Sequence, residues 1–157
     1  MADDAQQNGQ AGDFPITVNA QYIKDLSFEN PNAPKSLVNT GKAPDVDVNI
    51  NVEAKKLSED SFEVMLKVNA SAKTEDMTAF AVELSYACIM TLNGVPEDQL
   101  QPVLMIEGPR LLFPFARQII ADATREGGFP PLLINPIDFV AMYQQNIAAQ
   151  APEGSAW

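Results

Sequence analysis

From residue 14 to residue 92 apolar and polar side chains alternate with a period of two, and from about residue 97 the period becomes helical. Successive side chains of an extended chain point to opposite faces, so each alternating run reads as a half-buried strand. The first run places Ile16, Val18, Ala20, Tyr22, Lys24, Leu26 and Phe28 on one face, and Thr17, Asn19, Gln21, Ile23, Asp25, Ser27 and Glu29 on the other. Asn30-Pro-Asn-Ala-Pro34 ends it, because proline cannot donate to a ladder and restricts its predecessor. After a loop to about Pro44, Val46, Val48, Ile50 and Val52 alternate with Asp45, Asp47, Asn49 and Asn51. Ser58–Ser61 turns the chain into a third strand, with Phe62, Val64, Leu66, Val68 and Ala70 inward and Glu63, Lys67, Asn69 and Ser71 outward. Beyond Thr74–Asp76 a fourth strand sets Phe80, Val82, Leu84, Tyr86 and Cys88 against Ala81, Glu83, Ser85 and Ala87. Strands in such tight succession predict an antiparallel sheet with one wet face.

In the helical half, prolines 102, 109 and 114 predict a broken helix whose best part is Pro114 to Glu126. Proline suits a first helical position, Phe115, Ile119, Ile120 and Ala123 form a stripe, and Gly127 can cap the end. Gly128 to Pro136 is too proline-rich for a helix and too apolar for an ordinary solvent loop. Asn135 is the expected N-cap of a last helix that lays Phe139, Met142, Tyr143 and Ile147 on one face. The predicted fold class is α+β: a four-stranded antiparallel sheet with helices packed on one face.

The chain has 157 residues, enough for one domain. Residues 1–13 carry no aliphatic side chain larger than alanine after Met1 and read as a disordered acidic tail. Residues 14–150 form the expected folded domain, and 151–157 a flexible C-terminal tail. No stretch reaches the 18 or so consecutive apolar residues of a spanning helix, and the N-terminus lacks the pattern of a signal peptide. A soluble protein of a reducing, cytoplasmic compartment is the expectation.

Charge and residue inventory narrow the chemistry. With no His and one Cys there is no imidazole acid or base, no Ser-His or Cys-His couple and no internal disulfide. Zinc sites of the usual mixed type are excluded on the same count. A net charge of -11 disfavours nucleic acid and anionic membrane surfaces. Sixteen acids face seven bases up to residue 98, against five and three beyond it, so the wet face of the sheet is expected to be strongly negative. Such a face is either simply solubilising or a docking patch for a basic partner. In the helical half, Leu111, Leu112, Phe113, Phe115, Phe129, Leu132, Leu133 and Ile134 exceed what one sheet face can cover. Surplus of this kind is an oligomer interface or a ligand groove, and the two can coexist.

Cys88 is in phase with Val82, Leu84 and Tyr86 and reads as core. The carboxylate pairs Asp45/Asp47 and Glu97/Asp98 are adjacent acids on a strand edge and a turn, not two carboxyls held apart across a cleft. Gly127-Gly128 lacks the context of a phosphate loop. No catalytic residue, metal site or cofactor is expected. An interaction protein fits better than a small-molecule enzyme, and a homo-oligomeric scaffold that binds no other chain is the competing class.

Tyr22-Ile-Lys-Asp-Leu-Ser-Phe-Glu-Asn-Pro-Asn-Ala-Pro34 resembles the signature run of the SecB family of bacterial protein-export chaperones. The likeness continues, in order and spacing, through Thr78–Glu83, Leu112–Arg117 and Gly128–Pro136 into Phe139. It implies an α+β subunit assembling as a homotetramer, a dimer of dimers with helices sandwiched between two outward-facing sheets. It also implies binding of unfolded precursor proteins, delivery to the translocation ATPase SecA, and no nucleotide of the chaperone's own. By position, the resemblance assigns Asp25, Glu29 and Glu83 to SecA docking, with Ala81 standing where a larger aliphatic is expected. It assigns Phe113, Phe115, Phe129, Leu132, Leu133, Ile134, Phe139 and Tyr143 to a client groove beside the last helix.

Overall fold

A computed structural model describes residues 16–38 and 43–150, with side chains to residue 147; the expected tails 1–13 and 151–157 lie outside the described residues. Four strands, β1 (Ile16–Glu29), β2 (Asp45–Lys56), β3 (Ser61–Lys73) and β4 (Thr78–Leu92), make one antiparallel sheet in the order β1-β4-β3-β2. Hairpins join β2 to β3 and β3 to β4, whereas β1 pairs with β4 at the opposite edge from β2. The proline-rich connection after β1 therefore crosses the whole sheet. Asn30 Nδ2 donates to the Gly127 carbonyl (3.1 Å) and Asn32 Nδ2 to the Thr78 carbonyl (2.9 Å), which tie this crossing to the helical layer and to the start of β4.

The helical layer comprises α1 (Glu97–Pro102), a π-helical turn (Val103–Glu107), α2 (Gly108–Glu126) and α3 (Phe139–Gln150). It covers the inward phase of β3 and β4, where Val64, Leu66, Val68, Val82, Leu84 and Met90 are all buried. From α2 the stripe Leu112, Ala116, Ile120 and Thr124, four residues apart, meets them with no exposed surface. Each leucine so buried contributes about 1.5–3 kcal/mol. At the start of α2 the approach is closest: a Cβ on Gly108 would lie 2.7 Å from a methyl of the fully buried Val64. Only glycine lets the helix lie this near the sheet.

Alternation holds through β2 and β3 and in β4 from Phe80 onward, after one irregularity opposite Ala72 and Lys73, but fails in the middle of β1. Its pairing with β4 skips once between Val18 and Ala20 and again between Ile23 and Asp25. Each skip is a bulge, and each moves all that follows to the other face. Ile16 and Val18 face inward as predicted, opposite Leu92 and Met90. Ala20 and Tyr22, expected with them, instead face outward, while Gln21 and Ile23 turn inward opposite Cys88 and Tyr86. The second bulge, at Lys24, restores the predicted phase: Leu26 and Phe28 inward, Asp25, Ser27 and Glu29 outward. Two irregularities cancel, so the ends of the strand were readable and its middle was not.

The helical half differs from expectation where its helices start. Helix α2 begins at Gly108 with Pro109 in its first turn and runs on through Pro114. Pro114 removes one hydrogen bond of the helix, but the buried stripe on both sides of it holds the backbone helical. At the far end Gly127 is the C-cap as expected, with right-handed backbone angles, and the left-handed residue is Gly128 just after it (φ +96). Helix α3 is capped by Asp138, not Asn135: the Ala141 N–H donates to Asp138 Oδ1 at 3.0 Å.

Candidate functional site

The sheet has one face open to solvent, and the second bulge of β1 decides what stands on it. Across β1 and β4, Asp25 lies opposite Ser85, Ser27 opposite Glu83, and Glu29 opposite Ala81. Glu83 is thus flanked on the neighbouring strand by Asp25 and Glu29, and all three carboxylates are exposed. Ala81 is half-buried beside them and is bordered on β3 by Ser71, as Glu83 is by Asn69. The four outer-face residues predicted from sequence therefore share one patch. Among the described residues no Lys or Arg nitrogen comes within 4.0 Å of Asp25, Glu29 or Glu83.

A second, quite different cluster lies on the same face toward β2. Glu63 accepts from Tyr22 Oη (2.5 Å) and from Lys24 Nζ at both oxygens (3.0 Å each). The Tyr22 hydrogen bond leads in holding the Glu63 carboxyl below its usual range, helped by Lys24 and opposed by burial. Burial, with Glu63 adding to it, pushes the Tyr22 phenol up to about 12. A shallow depression of about 510 Å³ opens here between Lys24, Glu53, Lys55, Glu63 and Met65. None of the residues expected to bind clients lines it.

On the helical side, the apolar candidates divide into three places. After Gly128 the chain runs without regular structure to Asp138. It is pinned to α2 by two polar side chains that composition gave no reason to single out. Thr124, fully buried, donates back to the Ile120 carbonyl (3.0 Å) and accepts from the Leu132 N–H (2.9 Å). Arg117 Nε donates to the Ile134 carbonyl (2.9 Å). Between the two pins Leu133 is 56% exposed, while Ile134 is buried. Phe139 is 3% exposed and meets half-buried Phe113 edge-on, with ring centroids 6.2 Å apart. Phe129 sits at the other end of this segment, against Phe80 (5.0 Å), which in turn stacks on Phe28. Leu132 and Tyr143 are half-buried.

Phe115 is the outlier. It lies on the opposite flank of α2, 48% exposed, with its ring over Tyr86 (6.2 Å). There it shares an open apolar area with Leu111 one turn earlier and with the inward-facing Ile23 and Leu26 of the edge strand β1. So one flank of α2 carries the connecting segment and another carries Phe115, and they are not one groove. Ile134 and Phe139 belong to the core of the subunit. Cys88 is core as expected, and burial raises its thiol to about 11.

Removal of the Thr124 hydroxyl tests the pin. Thr124→Val leaves the Leu132 N–H without its acceptor, at an expected loss of about 1–3 kcal/mol. Amide exchange at Leu132 should accelerate while that of β3 and β4 changes only with global stability. Unchanged protection at Leu132 would show that the hydrogen bond does not hold the segment.

A bare acidic face on one side and a half-open apolar one on the other describe a binding protein, and its fold is that of a SecB-like chaperone. A structure of the SecB-like chaperone of Mycobacterium tuberculosis, solved in complex with a ChAD peptide from the HigA1 antitoxin, matches with a TM-score of 0.65. The match covers 78% of this chain and 90% of that one at 14% identity, a likeness of fold. The family model of preprotein translocase subunit SecB matches residues 7–150. The protein-export protein SecB of Afipia carboxidovorans is 53% identical over 154 residues, covering 98% of this chain and 96% of its own. Its counterpart in Azorhizobium caulinodans is 55% identical over 150 residues, covering 94% of each. The chain belongs to the SecB family of protein-export chaperones.

Proposed function

We propose that this protein is a cytoplasmic holdase of protein export: it binds unfolded precursor proteins, keeps them translocation-competent and delivers them to SecA. It does so by binding alone, with no catalytic residue, cofactor or metal. The observation that carries this reading is the separation of two surfaces by one sheet. Apolar side chains stand half-open around the connecting segment, and carboxylates with no ion-pair partner among the described residues stand on the opposite face.

The apolar side suits clients of many sequences, because burial of apolar surface is non-directional and yields about 25 cal/mol per Å². Leu133, with Leu132, Phe113, Phe129 and Tyr143 partly accessible, offers the contact surface, while Ile134 and Phe139 form its floor. Folded proteins escape because their apolar segments are already hidden. A homotetramer, a dimer of dimers, multiplies the sites, so a client held at one is presented at high local concentration to the rest. The open area of Ile23, Leu26, Leu111 and Phe115 supports such an assembly, being apolar surface at an edge strand. The acidic patch of Asp25, Glu29 and Glu83, with Ala81 beside it, is the docking surface for SecA, a contact that weakens as salt rises. Residues 14–150 make up the chaperone domain.

The test is a refolding experiment. A slow-folding denatured protein diluted into excess of this chaperone should regain its native signal several-fold more slowly than alone. An unaltered refolding rate would leave only the scaffold reading.

A further inference from the structure

The acidic patch is bare although two lysines stand within a side chain's length of it. Lys24 is the bulged residue of β1 and immediately precedes Asp25. Lys67 on β3 lies opposite Ser85, which is itself opposite Asp25, and is two residues from Asn69, the partner of Glu83. An ammonium on a four-carbon stem swings freely and seeks the nearest carboxylate. Neither does so here toward the patch. Lys24 is held by both oxygens of Glu63 at 3.0 Å, and Lys67 by Glu53 at 3.2 Å, each turned toward β2.

We propose that Glu63 is a positioning residue for docking: by holding the Lys24 ammonium away from Asp25, it keeps the acidic patch unpaired for a basic partner surface. The inference rests on the docking reading above and assigns a role to a residue outside the patch. Glu63 suits the task better than Glu53. It is 9% exposed and fixed by a second donor, Tyr22, whereas the Lys67–Glu53 pair is open to solvent at both ends. A carboxylate so oriented cannot follow the lysine outward. Lys24 itself lies outside the docking machinery; its charge is the one that must be kept away. Glu53 holds Lys67 in the same sense, more weakly because both partners are exposed.

The experiment is a titration of the full-length chaperone with SecA at low ionic strength, for wild type, Glu63→Gln, Lys24→Gln and the double variant. Glutamine keeps an acceptor for Tyr22 but releases Lys24. Glu63→Gln should bind SecA about threefold more weakly, the size of one exposed ion pair formed within the patch. Lys24→Gln should bind at least as well as wild type. The double variant should recover wild-type affinity, because removing the lysine removes the competitor. A role of Glu63 in folding alone would give a double variant as weak as Glu63→Gln, and that result overturns the proposal. So does weaker binding by Lys24→Gln, which would make the ammonium a contact. Should Glu63→Gln fail to fold, Glu63→Asp, whose carboxylate stops one methylene short of Lys24, takes its place: weaker SecA binding that Lys24→Gln restores supports the proposal, and wild-type binding overturns it. A chaperone lacking the three patch carboxylates separates the two readings. If it binds SecA normally, docking lies elsewhere and both fall; if it does not bind while Glu63→Gln binds as wild type, only the role of Glu63 falls.

Discussion

Replacement of Asp25, Glu29 and Glu83 by alanine together should weaken SecA binding about 30-fold or more, each lost charge pair counting for roughly threefold. The three side chains share one exposed patch on adjacent strands and touch nothing that holds the subunit together. Their removal therefore leaves the melting temperature within about 2 °C and client binding unchanged. The loss should shrink as salt rises, since screened charges contribute little to either form. Isothermal titration at two ionic strengths measures both effects. Equal affinity of the triple variant and wild type would place the docking surface elsewhere on the molecule.

Leu133→Asp should give the largest loss of client protection obtainable from one change. Leu133 is exposed between two backbone pins, so its side chain is available to a client while its main chain is fixed. Withdrawing one leucine from a contact removes about 1.5–3 kcal/mol, or roughly tenfold or more in affinity. The amount of chaperone needed to halve the light scattering of a denatured precursor should rise accordingly, with the melting temperature held. Suppression at the wild-type ratio would exclude this position from the client surface. Phe139 is no substitute for this test. At 3% exposure it is core, and Phe139→Ala should cost about 3–5 kcal/mol of stability before any client is met.

The contrast between these two residues shows how far the sequence could be read. Both are apolar, both fall in the family's signature blocks, and periodicity cannot separate them. Phe139 lies in the first turn of α3 and folds back on Phe113; Leu133 lies in a segment with no repeat of its own. The backbone that points Leu133 outward and Ile134 inward is fixed on both sides: the Leu132 N–H donates to the Thr124 hydroxyl and Arg117 donates to the Ile134 carbonyl. Those are tertiary contacts between residues 8 and 17 apart, invisible to any local pattern.

The sheet was legible for the opposite reason. Along most of β2, β3 and β4 the inward phase is the apolar one, so facing and alternation carry the same information. In β1 they part company, because a bulge at Lys24 inserts a residue without a partner. The predicted face of Asp25 and Glu29 came out right only because an earlier bulge near Asn19 had shifted the strand by the same amount. Helix starts were misplaced where two candidates stood close together: Asp138 over Asn135, Pro109 over Pro114. In each pair the residues are near-equivalent by type, and packing of the adjoining helix made the choice.

Calorimetric titration of this protein with one precursor, presented unfolded and then folded, reaches the centre of the account. Tight binding of the unfolded chain, with a negative heat-capacity change from apolar burial, and no heat with its folded form is the expected result. Equal silence toward both forms would contradict it.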